Sequence, residues 1–408
     1  MTDIACDMKR CSKCLLPETH ETLIISDDGV CNVCKAQTDK GNINWGKRLD
    51  DLDSMIEKYK GKGNYDCIIP FSGGKDSTWT LLYLKKRYPD LKPLVVRFNH
   101  GFLRSGLRKN SEKTFRKLGV DVHEFTPNWN VVKRLMLQAF IEKGDFCWHC
   151  HTGIFSYPMK VAIKEETPLI IWGEPSSEYT AYYSYEELEE VNEERFNRYI
   201  NLGITADDMA IRLMGKVDDR DLEPYRYPKL KDLMKLEYRS ICLGSYIPWD
   251  VKEQVKTIKE ELDWQGDVVE NVPENYDYEK IECWMQGVRD YIKFIKRGYT
   301  RPTHLAAIDL RNGRITKEEA KKMIDTYEGK KPASLELFLE YVGLSEVEFY
   351  EIAMEHSVSP WTYDREKYGI ASKLPDHDEW LKGDGLSKED ANEQCRGYGK
   401  SCETCGID

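Results

Sequence analysis

The chain has 408 residues, a formal net charge of −11 and 32% charged residues. This length suffices for roughly two to three structural units with buried cores. The acidic balance disfavours non-specific binding to nucleic acids, and no apolar run approaches the ~18 residues that cross a bilayer. The N-terminal residues lack the apolar segment of an export signal, so we expect a cytoplasmic protein that does not enter membranes.

Two cysteine pairs stand near the N-terminus, Cys11 with Cys14 and Cys31 with Cys34. Cytoplasmic thiols stay reduced, so a disulfide framework is not expected. The C-x2-C spacing of both pairs suits four thiolates around one tetrahedral Zn²⁺. We predict a structural zinc knuckle over residues 1–44, because so short a unit cannot fold by burial alone.

An α/β core follows this knuckle. Apolar spacing predicts a helix over residues 44–60, and short apolar runs predict four strands, at residues 65–71, 94–98, 120–125 and 169–172. Helical patterns separate these runs. The alternation indicates a doubly wound, mostly parallel sheet, which we assign to residues 45–175.

The remainder of the chain is predicted to be mostly helical. Residues 176–264 have a helical pattern with irregular breaks, which indicates a lid or an insertion. Residues 265–408 are predicted to form helices followed by a cysteine-containing tail. Thr316 with Glu319, and likewise Ser345 three residues before a glutamate, have the spacing of capping boxes, which mark helix starts.

A glycine-rich turn follows the first predicted strand. Two glycines there let the backbone approach an anion, and the next helix directs its first N–H groups at it. The chain lacks the G-x-x-x-x-G-K-[S/T] run of γ-phosphoryl transfer. A phosphate is expected at this turn, and the residues predicted to form the nucleotide site there are Ser72, Gly73, Gly74, Lys75, Asp76 and Ser77.

This S-G-G-K-D-S run resembles the PP-loop ATP pyrophosphatases, which have a HUP-like α/β fold. The resemblance implies that ATP is cleaved between its α- and β-phosphates while the loop holds the departing pyrophosphate. Lys75 and Asp76 are then expected to be catalytic, and Asp76 to assist Mg²⁺, which prefers carboxylate and phosphate oxygens. An ordinary strand-to-helix turn is the alternative interpretation.

Polar residues at other strand ends are candidates for the same nucleotide site. Arg97 and Asn99 follow the second predicted strand, and Gly173 and Glu174 follow the fourth. Ligands of doubly wound sheets bind at the carboxyl ends of strands. Glu174 could instead cap the next helix.

A basic run near residue 297 is a second candidate for binding anions. It consists of Arg289, Lys293, Lys296, Arg297 and Arg301. It could clamp the α-phosphate of ATP or the diphosphate of a substrate, and we assign Arg297 a catalytic role. A solvated helix face is the alternative.

Further cysteines offer a second metal site. Cys147 and Cys150 form a C-x-x-C-H string, and Cys242 stands alone. Their order after a zinc knuckle and a PP-loop resembles the PP-loop enzymes that thiolate transfer RNA, which implies an iron–sulfur cluster. A lone cysteine is commonly a small buried hydrophobe. Cys395, Cys402 and Cys405 in the tail could complete a metal site or be free thiols.

Longer segments resemble another family, the N-acetyl sugar amidotransferases of surface-polysaccharide and nonulosonic-acid biosynthesis. The resemblance extends from the knuckle to about residue 325 and rests on residues 147–153, 172–179, 289–291, 296–299, 303–305 and 308–313. It implies that ATP adenylates the acetamido oxygen of a nucleotide sugar. Ammonia from a separate glutaminase subunit then gives an acetamidino sugar, with release of AMP and pyrophosphate.

Two other functions stay open from the sequence. One is the transfer-RNA thiolation enzyme just described, although the acidic charge makes a nucleic-acid partner unattractive. The other is a non-enzymatic zinc-knuckle module that only binds ATP. Tyr179, Tyr182, Tyr183 and Tyr185 could stack on a ligand, but we expect them to pack a lid.

Overall fold

A parallel five-stranded sheet forms the centre of the computed structural model, which describes residues 8–178, 180 and 183–368. The strands are β1 Cys67–Pro70, β2 Pro93–Phe98, β3 Asp121–Phe125, β4 Leu169–Trp172 and β5 Arg239–Cys242. Their order across the sheet is β3-β2-β1-β4-β5, and every neighbouring pair is parallel. The doubly wound α/β prediction is confirmed.

Helices surround this sheet and form the C-terminal region. Asn44 caps the first long helix, and Thr316 and Ser345 form the predicted capping boxes. None of the described helices is long and apolar enough to cross a membrane. They are α1 Asn32–Asp39, α2 Trp45–Tyr59, α3 Lys75–Arg87, α4 Ser105–Leu118, α5 Trp129–Lys143, α6 Trp148–Lys164, α7 Glu193–Arg195, α8 Ala206–Arg212, α9 Asp219–Leu222, α10 Leu230–Leu236, α11 Val251–Leu262, α12 Gln286–Arg297, α13 Arg301–Arg311, α14 Lys317–Tyr327, α15 Ser334–Val342, α16 Glu346–Glu355 and α17 Arg365–Tyr368.

Alternate side chains of each strand pack against different helical layers. Cys67 and Ile69 of β1 share an apolar cluster with α2 and α3. Ile68, between them, belongs to a cluster that includes Met159 of α6. Because both faces of the sheet are covered, the polar groups available for a site lie at the ends of the strands.

Strand β5 was not predicted from the sequence. It lies within residues 176–264, where the pattern suggested only helices, and pairs with β4 from Leu169↔Arg239 to Trp172↔Cys242. A four-residue strand that begins with arginine has too little alternation to be recognised without its partner. The sheet therefore continues beyond residue 175.

The N-terminal knuckle contacts the C-terminal region at α12 and α13. The Thr19 hydroxyl donates a 2.6 Å hydrogen bond to the Arg297 carbonyl, and Tyr299 donates one of 2.8 Å to Glu21. Ala307 of α13 belongs to the small apolar cluster of the knuckle. The C-terminal helices in turn share a large core with α5, which includes Phe140. The knuckle thus packs against α12 and α13, and α12 in turn shares its core with the later helices and α5.

Candidate functional site

The glycine-rich turn joins β1 to α3 in the conformation expected of an anion site. Gly74 is the N-cap of α3, and the φ of Gly73 is +91°, where residues with a Cβ are strained. A Cβ at Gly73 would lie 2.8 Å from Ser111 Oγ, and one at Gly74 would overlap the carboxylate of Glu282. The Gly73 position therefore requires glycine, whereas a side chain at Gly74 would have to move the flexible Glu282 carboxylate. The first amides of α3 point towards the turn.

Lys75 is buried between two carboxylates. Its Nζ lies 2.8 Å from Asp76 Oδ2 and 3.1 Å from Glu279 Oε2, with only 4% of the side chain exposed. Burial opposes ionisation of Glu279, but Lys75 and Arg301 outweigh it and lower the pKa of Glu279 to about 2. Glu279 was not identified from the sequence. Because it is far from the loop along the chain, no local pattern connects the two.

Asp76 and Glu174 bring two carboxyl groups together beside the loop. Burial and the neighbouring Asp76 carboxylate raise the pKa of Glu174 to about 7. Asp76 Oδ1 is buried and makes no hydrogen bond within the described part of the chain. Gly173 permits this approach, since a Cβ there would lie 2.7 Å from Thr80 Oγ1. An unpartnered carboxylate oxygen next to a second carboxyl group fits a Mg²⁺ ion shared with phosphates.

The raised pKa of Glu174 predicts a specific pH dependence of stability. The pKa of Glu174 is near 4.5 in the unfolded chain and about 7 in the folded one, so its protonated form stabilises the fold. This stabilisation is fully present below pH 4.5 and is lost as the pH rises through about 7. We expect the free energy of unfolding to fall by about 2–3 kcal/mol from this group between pH 4.5 and 8. Urea unfolding of wild type and Glu174→Gln at both pH values measures this difference. The exposed control Glu57→Gln should follow wild type, whereas the same pH dependence in Glu174→Gln would contradict the assignment.

A cavity of about 330 Å³ opens at the carboxyl ends of the strands. Ser72, Asp76 and Ser77 line one wall, and Gly173 and Glu174 lie beside them. A further part of the wall comes from the segment before α12 and from its first turn, and consists of Lys280, Glu282, Cys283, Met285, Gln286 and Arg289. The loop and the C-terminal region therefore enclose one cavity.

Three histidines in the cavity wall are held neutral. Burial lowers the pKa of His149 to about 4, and it lowers those of His100 and His151 to about 3. Nearby cationic groups, Arg289 among them, lower the pKa of His151 further. Neutral imidazoles offer hydrogen bonds here without adding positive charge.

Arg97 and Asn99 lie outside this cavity wall. Both hydrogen-bond to Glu124 at the end of β3, Arg97 Nη1 at 3.2 Å and Asn99 Nδ2 at 3.1 Å. The Arg97 guanidinium also packs over the rings of Phe71 and Phe115. The structure therefore groups these two residues with β3 and α4 rather than with Asp76.

Four cysteines line the cavity without forming a compact ligand set. They are Cys147, Cys150, Cys242 and Cys283, and burial raises the pKa of each thiol. Cys242 Sγ lies 3.7 Å from both Arg195 Nη1 and Glu189 Oε1. In the described ranges, three or more potential ligand atoms come within 4.8 Å of one another only at the N-terminal cysteines. The tail cysteines lie outside the described residues.

The N-terminal cysteines form a buried four-thiol cluster, as predicted. Cys11 Sγ lies 3.8 Å from Cys34 Sγ, and Cys14 Sγ lies 3.7 Å from Cys31 Sγ. A tetrahedral ion with Zn–S bonds of ~2.3 Å places its sulfurs about 3.8 Å apart. The backbone N–H of Cys31 also donates to Cys11 Sγ at 3.3 Å. The donors and their spacing fit one tetrahedral thiophilic ion.

The predicted basic run divides between two cavities. Arg289 borders both the cavity at the loop and a second one, whereas Lys293, Lys296, Arg297 and Arg301 border only the second. Arg297 Nε lies 3.2 Å from Glu21, and its guanidinium also donates to the Thr19 carbonyl. The residue assigned a catalytic role from the sequence thus contacts the knuckle.

The tyrosines of the predicted lid contribute mainly to packing where they are described. Tyr185 is buried, and its hydroxyl donates to Gln37 at 3.2 Å. The ring of Tyr183 lies under the Arg195 guanidinium. Tyr179 and Tyr182 lie outside the described residues. No tyrosine of this group lines the cavity at the loop among the described residues.

Comparison with known proteins identifies the C-terminal region. Residues 270–375 match the family described as LPS biosynthesis protein WbpG-like, C-terminal domain. This match includes the segment that forms the C-terminal wall of the loop cavity. It agrees with the resemblance to the N-acetyl sugar amidotransferases.

Two further similarities are more limited. An uncharacterized protein of Methanocaldococcus jannaschii is 27% identical over 115 residues, which cover 28% of this chain and 41% of that protein. The alignment therefore spans less than half of that relative. The U34-tRNA thiolase NcsA from Methanococcus maripaludis, solved with its 4Fe–4S cluster, aligns over 93% of this chain and 98% of its own, with 14% identity and a TM-score of 0.32.

Proposed function

We propose that this chain, whose residues 270–375 match the WbpG-like LPS biosynthesis family, is an ATP-dependent sugar amidotransferase. It would convert the acetamido group of a nucleotide sugar to an acetamidino group. One observation carries the proposal. Ser72, Asp76 and Ser77 of the S-G-G-K-D-S turn line the same cavity as residues 280–289, which lie within the stretch that matches the WbpG-like family. A phosphate-binding element and the part of the chain associated with sugar modification therefore share one site.

The loop supplies the groups that ATP cleavage requires. The first amides of α3 and the hydroxyls of Ser72 and Ser77 would bind the β- and γ-phosphates, with Lys75 adding a positive charge. Asp76 and Glu174 would hold Mg²⁺, which when bound neutralises charge on the phosphate oxygens. A phosphate entering the turn would also displace the Glu282 carboxylate from Gly74, since both are anionic.

The proposed reaction has two steps, adenylation of the amide oxygen and its replacement by ammonia. The acetamido oxygen attacks the α-phosphorus of ATP, the bond to the bridging oxygen of the β-phosphate breaks, and pyrophosphate leaves. Ammonia next attacks the activated carbon, loses its extra protons, and expels AMP with the original amide oxygen. Adenylation is needed because the unmodified oxygen is a poor leaving group, whereas AMP departs readily.

The enclosed cavity suits ammonia as the nucleophile. Ammonia must remain unprotonated until it attacks, and the neutral state of His100, His149 and His151 offers it no proton. We expect a separate glutaminase to supply ammonia in the cytoplasm, where ATP and nucleotide sugars are available.

A direct assay tests the proposal. Purified protein is given ATP, an acetamido nucleotide sugar and ammonium, and the products are analysed by mass spectrometry. We expect AMP and pyrophosphate in equal amounts, together with a sugar in which NH replaces the acetamido oxygen. ADP formation, or AMP formation without change in the sugar, would refute the amidotransferase assignment.

Transfer-RNA thiolation is the competing function, and the same preparation tests it. That reading rests on Cys147, Cys150 and Cys242 sharing the cavity wall. Protein purified without oxygen would then show iron–sulfur absorbance and bind transfer RNA. A colourless sample that still releases pyrophosphate in the presence of the sugar would favour the amidotransferase.

A further inference from the structure

A second cavity, of about 390 Å³, lies beside the one at the loop. It is bounded by the knuckle residue Glu21, the turn after α5, the segment around Arg198, and helix α12. Phe146 and Arg289 belong to the walls of both cavities. A ligand in the second cavity would thus lie next to the loop site without occupying it.

The walls of this cavity are strongly cationic in an otherwise acidic protein. Three carboxylates line it, from Glu21, Asp145 and Asp290, which leaves an excess of four positive charges. A cavity with this excess repels ammonium and attracts anions. Its seven cationic side chains are Lys143, Arg198, Arg289, Lys293, Lys296, Arg297 and Arg301.

Several of these cations have no carboxylate in direct contact, although Lys296 donates hydrogen bonds to the backbone carbonyls of Lys143 and Gly144. Among the described residues, no carboxylate lies within 4 Å of Lys143, Arg198 or Lys296 (the ion pairs of the cavity involve its other cations). Burial, together with Arg301 and Arg289, lowers the pKa of Lys293 against the opposing effect of Glu21. Lys143, Lys293 and Lys296 are half-buried, and Arg198 is exposed at the rim. Half-buried cations held near one another are destabilising without an anion, which indicates that the cavity is built for one.

We propose that this second cavity binds a diphosphate group, in a site distinct from the ATP site at the loop. The excess charge matches such a group, and arginines can each donate two hydrogen bonds to phosphate oxygens. The identity of the molecule that carries this diphosphate rests on the proposed function. That source is either the diphosphate of the activated sugar substrate or the pyrophosphate released from ATP in the neighbouring cavity.

A chain of ion pairs connects the two sites. Arg301 of the second cavity contacts Asp290 at 3.4 Å and Glu279 at 3.3 Å, and Glu279 contacts Lys75 at 3.1 Å. All four side chains are at most 13% exposed. An anion that attracts Arg301 weakens the ion pair between Arg301 and Glu279. Glu279 then interacts more strongly with Lys75, which reduces the positive potential of Lys75 at the ATP site.

Binding to the full chain in the absence of ATP tests the proposal. Isothermal titration calorimetry at low salt would use UDP, uridine and inorganic pyrophosphate as probes. The variants are Arg198→Gln, which is exposed and has no ion pair to lose, and Lys293→Gln. Arg220→Gln on α9, also exposed, is the matched control for a lost positive charge.

We expect UDP to bind and uridine not to bind. Each cavity variant should weaken diphosphate binding about tenfold, as expected for one lost charge-assisted hydrogen bond, and Arg220→Gln should not. A saturating non-hydrolysable ATP analogue should leave UDP bound. With the loop occupied by that ATP analogue, tighter binding of UDP than of pyrophosphate would identify the sugar substrate as the source, and the reverse order would identify the released pyrophosphate.

The proposal is overturned if neither UDP nor pyrophosphate binds, if both cavity variants bind them like wild type, or if the ATP analogue displaces UDP. These results are independent of the amidotransferase reaction, because no turnover is measured. Failure to release pyrophosphate from ATP would refute the proposed function while leaving a demonstrated diphosphate site in place.

Discussion

Lys75→Met is expected to reduce pyrophosphate formation from ATP by roughly 10²–10³-fold, the usual effect of removing one group that stabilises developing charge. It is also expected to destabilise the fold. Lys75 lies between the carboxylates of Asp76 and Glu279, and its removal takes this cation from both of them, leaving Glu279 paired with Arg301. Breaking a buried ion pair in this way costs about 3–5 kcal/mol. Activity and stability must therefore be measured together, by pyrophosphate release and urea unfolding.

A double variant separates the two effects. Lys75→Met with Glu279→Gln removes the cation and one of its two carboxylates, so most of the lost stability should return while activity stays low. Lys86→Met is the matched control, since Lys86 is exposed on the same helix and pairs only with the exposed Glu261. It should change stability by no more than ~0.5 kcal/mol. A folded Lys75→Met that still releases pyrophosphate at the wild-type rate would remove Lys75 from the mechanism.

The loop could be predicted from sequence because its determinants are contiguous. Two glycines, a lysine and flanking hydroxyls predicted a turn between a strand and a helix, which is what joins β1 to α3, and anion binding there stays a prediction. The four-cysteine cluster could be predicted for the same reason, since each C-x2-C pair is local. In both cases the spacing along the chain determines the spacing in space.

Contacts between distant segments of the chain could not be predicted from the sequence. The rule that ligands bind at strand ends selected Arg97 and Glu174, but it does not specify which way a side chain points. Glu174 lies beside Asp76, whereas Arg97 pairs with Glu124. Glu279 reaches Lys75 only because the C-terminal region folds over the loop. Such contacts depend on how distant segments pack, which composition and periodicity do not encode.

Removal of one of the four N-terminal cysteines is expected to abolish zinc binding and to unfold the knuckle. We expect one zinc ion per chain, measured by elemental analysis of the purified protein, and its loss in Cys14→Ser. The knuckle has a small apolar core, with Leu16 and Val33 buried, which is too little to hold it folded alone. Structural zinc contributes apparent binding energies of about 10–16 kcal/mol in small peptides, so losing one of four ligands should unfold this unit.

The consequences of zinc loss should extend beyond the knuckle itself. Thr19 and Glu21 contact Arg297 and Tyr299, so an unfolded knuckle would release one wall of the second cavity. Cys67→Ala is the control: Cys67 is buried in β1, away from the cluster, and this variant should keep its zinc with a loss of about 1 kcal/mol. Acidification should release the metal, because thiols must lose their protons to bind it. Iron and sulfide in place of zinc, or full zinc content in Cys14→Ser, would contradict a structural zinc site at these four cysteines.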